Sequence, residues 1–456
     1  MNEKFTAEAV SPAEWYEKDE ELVWHAMRPG SKKRSFIASK AEGAWLEDID
    51  GNRYLDAMAG LWCVNAGYGR KEIAESVYEQ LLEMPFYPLT QSHKPAIQLA
   101  EKLNEWLGGD YVIFFSNSGS EANETAFKIA RQYFHQKGEA ARQTFISRYR
   151  SYHGNTMATL AATGQAQRKY KYGPGLPGFV HVSPPDHYRS GMETEAQSNE
   201  KAVQDMENVM NWELGETIAG VIMEPIITGG GVLVPGDTYM KRVQDACRKN
   251  GALLISDEVI CGFGRTGKPF GFQHFDVQPD IVTMAKGITS GYLPLSATAV
   301  KREIYESFQG TEAHDHFRHV NTFGGSPASC AAALANLEIM EKEKLSERSE
   351  ELGRELQESL QELLSLPHVG DVRGRGLLAG IEFVETKENK QPWEEAKVAQ
   401  IVARCKDKGI IIGKTADTVN GFNNIITLSP PLSLTREDFD FLVKTLKETV
   451  REVVTQ

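Results

Sequence analysis

Between residues 111 and 285 the chain alternates short apolar runs with amphipathic stretches, and nothing else constrains its fold as strongly. Residues 111–115 read YVIFF, which has the length and content of a buried strand, and they lead into a helical pattern over 120–134. The same order recurs downstream. A strand over 144–149 leads to a helix over 155–162, and a strand over 218–223 leads, past a glycine-rich loop, to a helix over 238–249. A strand over 252–256 is followed by a long loop and a strand over 281–285. Such alternation predicts an α/β protein: a mainly parallel central sheet with helices on both faces. Ligands of these sheets sit beyond the carboxyl ends of the strands, so the residues that follow each strand become the site candidates.

The flanks have a different texture. Residues 44–56 read as a hairpin around an Asp50-Gly51 turn, and 93–107 as a helix stopped by Gly108-Gly109. Residues 331–364 read as one long charged helix with Leu345, Leu352, Leu356, Leu360 and Leu363 on one face. Strand-like pieces over 377–384, 410–412 and 424–428 follow, then a last amphipathic helix near 435–452. A lone hairpin is barely stable, so the N-terminal one is expected to join the C-terminal pieces in a small α+β domain. The expected division is 1–70 and 331–456 for the small domain and 71–330 for the large one.

The chain of 456 residues carries 50 Lys plus Arg against 63 Asp plus Glu, a formal charge of −13. An acidic chain is a poor partner for nucleic acid. The N-terminus has acids throughout and no apolar core, so no signal peptide is expected, and no apolar stretch is long enough for a membrane span. The five cysteines, Cys63, Cys247, Cys261, Cys330 and Cys405, are scattered and fit a cytoplasmic protein with reduced thiols. His314, His316 and His319 lack a further cluster to complete a metal site, so no metal is expected and they are read as shaping their loop. The acidic segment 14–22 reads as a solvated face or an interface cover.

Two glycine motifs call for comparison. GFGRTG (Gly262, Gly264, Gly267) follows a strand and matches the dinucleotide fingerprint, which would make the chain an NAD-dependent oxidoreductase. That fingerprint needs a helix to open at its glycines, whereas KPFGFQHFDVQPD follows with two prolines, so a glycine-rich surface turn is the better reading. Ser118, Gly119 and Ser120 sit where the helix over 120–134 begins. They suit a phosphate cradle, because the first N–H groups of a helix lack partners and attract anions. They equally suit a plain serine cap.

Asp257 and Lys286 each end an apolar strand, so a carboxylate and an amine face one crevice. A lysine at a sheet edge is desolvated and easier to deprotonate. An anion cradle, a lysine, a carboxylate and an aromatic residue, Tyr152, are together what pyridoxal phosphate needs.

At this point the chain resembles the class III aminotransferases of fold type I. The resemblance rests on SNSGSEANETAFKIAR, YHGNT, EPIITGGG, SDEV, GFGRTG, MAKGITSGYLPLSA, HVNTFGGSP, VRGRGLLAGIEF and SPPL. It implies that Lys286 binds the cofactor and carries the proton, and that Asp257 partners the pyridine nitrogen. It implies that Ser118, Gly119 and Ser120 form the phosphate loop, that Tyr152 and Val259 flank the ring, and that His153 and Glu224 lie beside it. Thr322 is implied as a phosphate ligand donated by a second subunit, hence an obligate homodimer. MAGLWCVNAGYGR resembles the ω-amine:pyruvate branch, with Leu61 and Trp62 lining the amine pocket beside Tyr152. Diaminopelargonate and 4-aminobutyrate aminotransferases are the alternatives.

Three places depart from that pattern. Trp24-His25-Ala26-Met27 stands where the branch often has His-Pro-aromatic, and Val320 where a glycine often precedes Thr322. The stretch GIIIGKTADTVNGFNN lacks the branch's mobile arginine, leaving Lys414 as the nearest cation for a substrate carboxylate.

Overall fold

The computed structural model describes residues 11–27, 36–415 and 421–456. Its largest sheet has seven strands. From one edge they run Tyr111–Ser116, Ser296–Lys301, Ile281–Met284, Leu253–Asp257, Ile218–Met223, Thr144–Arg148 and Phe179–Val182. All neighbours pair parallel except Ser296–Lys301, which is antiparallel to both of its neighbours. That strand was not expected. The link from Met284 to Ser296 is too short for a helical crossover, so the chain returns antiparallel.

Every residue of Ile218–Met223 and Leu253–Asp257 is buried, as a sheet covered on both faces requires. Side chains alternate between two cores. Val221, Met223 and Leu254 join one, while Ile222, Leu253 and Ile255 join the other with Ala126, Ile129 and Phe134 of the helix Gly119–Gln136. Successive residues of a strand point to opposite faces, so one strand feeds both cores.

The N-terminal hairpin, Trp45–Asp48 with Arg53–Asp56, belongs to a four-stranded sheet. The Asp48 carboxylate accepts the amides of Asp50 and Asn52 at 3.0 and 2.8 Å and holds the turn. The fourth strand, Ile410–Ile411, lies more than 350 residues away in sequence and pairs parallel with Arg53–Asp56. A second four-stranded sheet contains Val369–Gly374, Ala379–Phe383, Ile425–Leu428 and Gly413–Lys414.

The long helix read over 331–364 is two helices, Pro327–Lys342 and Leu345–Gln361. Lys344, at φ 51°, breaks the run in the left-handed region. Neither glycine nor proline marks that break. GFGRTG is not a surface turn either. Arg265 is fully buried and donates to Asn65 Oδ1 at 2.7 Å and to the carbonyls of Leu377 and Pro430. The loop is an interior clamp between distant segments, and no α-helix opens at its glycines. Among the described residues no helix is long and apolar enough to cross a membrane.

One glycine sets the backbone that carries Tyr152. A Cβ on Gly164 would lie 2.1 Å from the Arg148 carbonyl oxygen and 2.6 Å from the Tyr149 Cα. Gly164→Ala is expected to cost about 1–3 kcal/mol of stability, as overpacking does, read as a lowered midpoint in urea unfolding.

Candidate active site

The carboxyl ends of five strands converge. Ser118 follows Tyr111–Ser116, Tyr152 and His153 follow Thr144–Arg148, and Glu224 follows Ile218–Met223. Asp257 ends its strand, and Lys286 stands two residues beyond Met284.

Asp257 is buried and held from two sides. Its Oδ2 accepts from Asn123 Nδ2 at 2.9 Å and faces His153 Nδ1 at 2.8 Å. Its Oδ1 accepts the Val259 amide at 3.1 Å. Among the described residues that amide is the single recorded donor to Oδ1, so this oxygen keeps capacity for another N–H. Asn123 is in turn fixed by donating to the His153 carbonyl at 2.7 Å and by accepting from Thr283 Oγ1 at 2.7 Å. Sequence reasoning missed Asn123. Its one signal is a polar residue among Ala122, Ala126 and Ile129 on the buried face of a helix.

Lys286 sits at φ 48°, a strained place for a residue with a side chain. The turn after it is braced from behind. Asn336 Nδ2 donates to the carbonyls of Gly287 and Ile288 at 2.9 and 3.1 Å, and Ser290 Oγ donates to Asn336 Oδ1 at 2.6 Å. Lys286 is half-buried. The surrounding protein still lowers its pKa below the ordinary lysine value, and the positive charge of Arg168 adds to this. Cys63, Asp257 and Glu224 oppose the shift without reversing it.

Glu224 is buried, which raises its pKa, and it is spent on structure. Its carboxylate accepts the Tyr152 amide at 3.0 Å and the Thr228 amide and hydroxyl at 3.0 and 2.8 Å. It therefore positions Tyr152 through the backbone. Ser118 caps its helix, its Oγ accepting the Glu121 amide at 3.2 Å. The cap reading thus holds for Ser118, and the next two residues open the helix. A Cβ on Gly119 would lie 3.0 and 3.1 Å from the Val259 methyls, so only glycine leaves that slot open. Ser120 Oγ donates to Asn155 Oδ1 at 2.9 Å and accepts the Asn155 amide at 3.1 Å, which ties the helix start to the Tyr152 segment.

The remaining expected residues lie further out. Leu61 is exposed and Trp62 is half-buried beside a bend at Gly60. Asp56 makes that bend, accepting from the Gly60 amide at 2.6 Å and the Tyr68 hydroxyl at 2.7 Å. Thr322 is exposed, next to exposed Val320 and Phe323. His319 packs against Phe114 and lies 3.2 Å from Thr125 Oγ1, which steadies the loop leading to Thr322. The Lys414 ammonium donates to Glu395 at 2.8 Å and to the Asn423 carbonyl at 3.1 Å. Residues 416–420 of its loop lie outside the described residues.

These positions fit pyridoxal phosphate. Its phosphate needs a helix start without side chains in the way, its ring nitrogen a carboxylate, and its aldehyde an amine. The Gly119 slot, the open side of Asp257 Oδ1 and Lys286 meet those needs in that order. The family profile described as Aminotransferase class-III matches residues 26–450.

The chain belongs to the class III aminotransferases. The aminotransferase is 67% identical over 437 residues to the uncharacterized aminotransferase YhxA of Bacillus subtilis, covering 96% of each chain. It is 44% identical over 435 residues to a taurine–pyruvate aminotransferase of Bilophila wadsworthia, covering 94% of this chain and 95% of that one. A crystal structure of a Bacillus anthracis aminotransferase superposes with a TM-score of 0.94 at 61% identity, over 96% of this chain and 98% of that one. Like its family, this aminotransferase works with pyridoxal phosphate.

Beside the site, Glu258 is fully buried with its carboxylate on the amides of Gly271 and Phe272, both at 2.8 Å. Burial pushes its pKa up to about 7. Between an unfolded value of about 4.3 and that folded value the folded aminotransferase binds the extra proton, so its stability falls as pH rises. Its melting temperature is expected to fall between about pH 5 and about pH 8, and to fall less in Glu258→Gln. The slope is the readout, because Gln also loses a hydrogen bond and lowers the level throughout.

Proposed function

We propose that this enzyme moves an amino group from an amine or ω-amino acid to pyruvate. The carrying observation is the 44% identity to a taurine–pyruvate aminotransferase along nearly the whole chain. Leu61 and Trp62, with Tyr152, fit an amine pocket whose inner wall is apolar, since Trp62 packs on Ile226, Val232, Cys261 and Leu378.

Each residue has a stated task. Bound pyridoxal phosphate supplies an aldehyde that takes up the amino group and a ring that withdraws electrons from the adjoining carbon. Lys286 Nζ, eased toward its neutral form by its surroundings, would take the proton from the carbon that bears the amine and deliver it two atoms away on the same face. Asp257, with Oδ2 held by Asn123 and His153, would use Oδ1 to keep the ring nitrogen protonated. Gly119 and Ser120 amides receive the phosphate at the helix start. Val259 and Tyr152 would hold the ring between them, while His153 fixes Asp257 and Glu224 sets Tyr152. A second pass with pyruvate restores the starting form and releases alanine, a ping-pong course.

The partner subunit is proposed to supply Thr322. Tyr78, Leu82, Val320 and Phe323 are all more than 60% exposed, and the Phe86 ring lies tilted against that of Phe323, their centres 5.7 Å apart. An apolar surface of this kind around Thr322 is what a second copy would cover. Residues 1–70 and 331–456 are proposed as one small domain beside 71–330, supported by the strand pair Arg53–Asp56 with Ile410–Ile411. A cytoplasmic location is proposed as well, supported by the scattered spacing of the five cysteines.

The test is a panel of donors (taurine, β-alanine, putrescine, simple amines) against pyruvate and 2-oxoglutarate, reading alanine or glutamate formed. Alanine from several amines supports the proposal. Glutamate with 4-aminobutyrate as donor, or activity confined to S-adenosylmethionine as donor, replaces it with one of the alternatives.

A further inference from the structure

We propose that Arg168 is the cation that receives the acid group of the substrate, a carboxylate or sulfonate, at the mouth of the cleft. This rests on the reading that pyruvate is the acceptor, because pyruvate and its product alanine bring a carboxylate into the site in every cycle. A buried or half-buried carboxylate needs a positive partner. Lys414, the cation expected from the sequence, is held by Glu395 and Asn423.

Arg168 stands where the need is. Its guanidinium carbon lies 4.5 Å from the centre of the Tyr152 ring, the ring that precedes His153 and through it Asp257. Its Nε donates to Gln165 Oε1 at 2.7 Å. Gln165 is buried and fixed in turn, its Nε2 donating to the Arg150 carbonyl at 3.0 Å. On the outer side Arg168 Nη1 meets the sulfur of Met27 at 3.9 Å, and Met27 is exposed. Arg168 is therefore a half-buried arginine on a buried tether, between the flat inner wall and solvent. Of the charged groups that act most on Lys286, it is the cation, which puts its field on the reacting amine. A substrate lying along the Tyr152 ring with its amine toward Lys286 meets this charge with its other end. The inference needs the charge in this place, whatever else the guanidinium also holds. An arginine suits the task because its planar fork matches carboxylate and sulfonate oxygens alike.

Two readouts test this. In the first, the half-reactions of L-alanine and n-butylamine are followed separately in wild type, Arg168→Gln and Arg168→Lys. A charged hydrogen bond in a partly dry site corresponds to about 10- to 100-fold in affinity. Arg168→Gln is expected to raise the alanine KM by that factor with kcat little changed, and to leave n-butylamine within about threefold. Arg168→Lys keeps the charge and is expected to lose less than Gln does. In the second, calorimetry compares propionate with propionamide. Propionate binding weakens in Arg168→Gln by the same factor, and propionamide binding does not change.

Equal losses for alanine and n-butylamine would show that Arg168 only props Tyr152, and would overturn the inference. So would an unchanged alanine KM, or a Lys variant no better than Gln. A wrong choice of acceptor shows elsewhere, as a wild type that aminates 2-oxoglutarate and not pyruvate. The propionate comparison stands apart from that outcome.

Discussion

Lys286→Ala is expected to lose transamination by on the order of 10³-fold or more, with the fold intact by circular dichroism. The size of the loss follows from one amine having two tasks, holding the cofactor and moving the proton. Cys63, the titrating group that acts most on Lys286, is a poor substitute, because burial pushes its thiol up, away from a reactive thiolate. The change should be tolerated structurally, since the strained turn is fixed by Asn336 and Ser290 rather than by the lysine side chain. Borohydride treatment followed by peptide mass spectrometry gives an independent reading. Wild type should carry the reduced cofactor on the Lys286 peptide, and the variant on none. Normal turnover by Lys286→Ala would remove the proposed mechanism altogether.

Asp257→Asn is the second large effect, about 10²- to 10³-fold in kcat, the range seen when one electrostatic partner of a reacting group is lost. The substitution is nearly isosteric, yet the pocket is built for an anion. Three N–H groups point at the carboxylate, from Asn123, His153 and Val259. An amide presents its own NH2 to one of them and leaves the ring nitrogen without a charged partner. The loss should appear in both half-reactions, with little change in KM. That pattern separates it from Arg168→Gln, whose effect is confined to substrates with an acid group.

Much of the candidate site was legible because its residues stand where strands end. Asp257 and Lys286 follow unbroken apolar runs, and buried parallel strands announce themselves by such runs. What stayed hidden depends on partners far away in the chain. Asn123 matters through a bond to a residue 134 positions on, and Lys414 is taken up by Glu395 on a neighbouring helix. No local pattern encodes either pairing. Arg168 follows no strand and lies in a short helix, Ala166–Lys169, outside the sheet logic that found the others. The strand Ser296–Lys301 escaped because SATAVK has only small and middling apolar residues. The glycines of GFGRTG were read as exposed because glycine-rich turns often are. Arg265 pulls that loop inside, with burial holding its pKa down to about 9 and three oxygens as acceptors.

The parallel pairing of Arg53–Asp56 with Ile410–Ile411 bears on how the chain is made. A ribosome delivers the hairpin early and its last partner strand only near the end of synthesis. Until residue 411 emerges, one edge of Arg53–Asp56 stays open, and the Asp56 side chain that bends the backbone at Gly60 lacks its final setting. The large sheet can assemble as it is translated, with its strands in local reach of one another, while the segment carrying Leu61 and Trp62 waits. The proposed amine pocket is thus the last part of the site to be set, after the residues proposed to handle the proton.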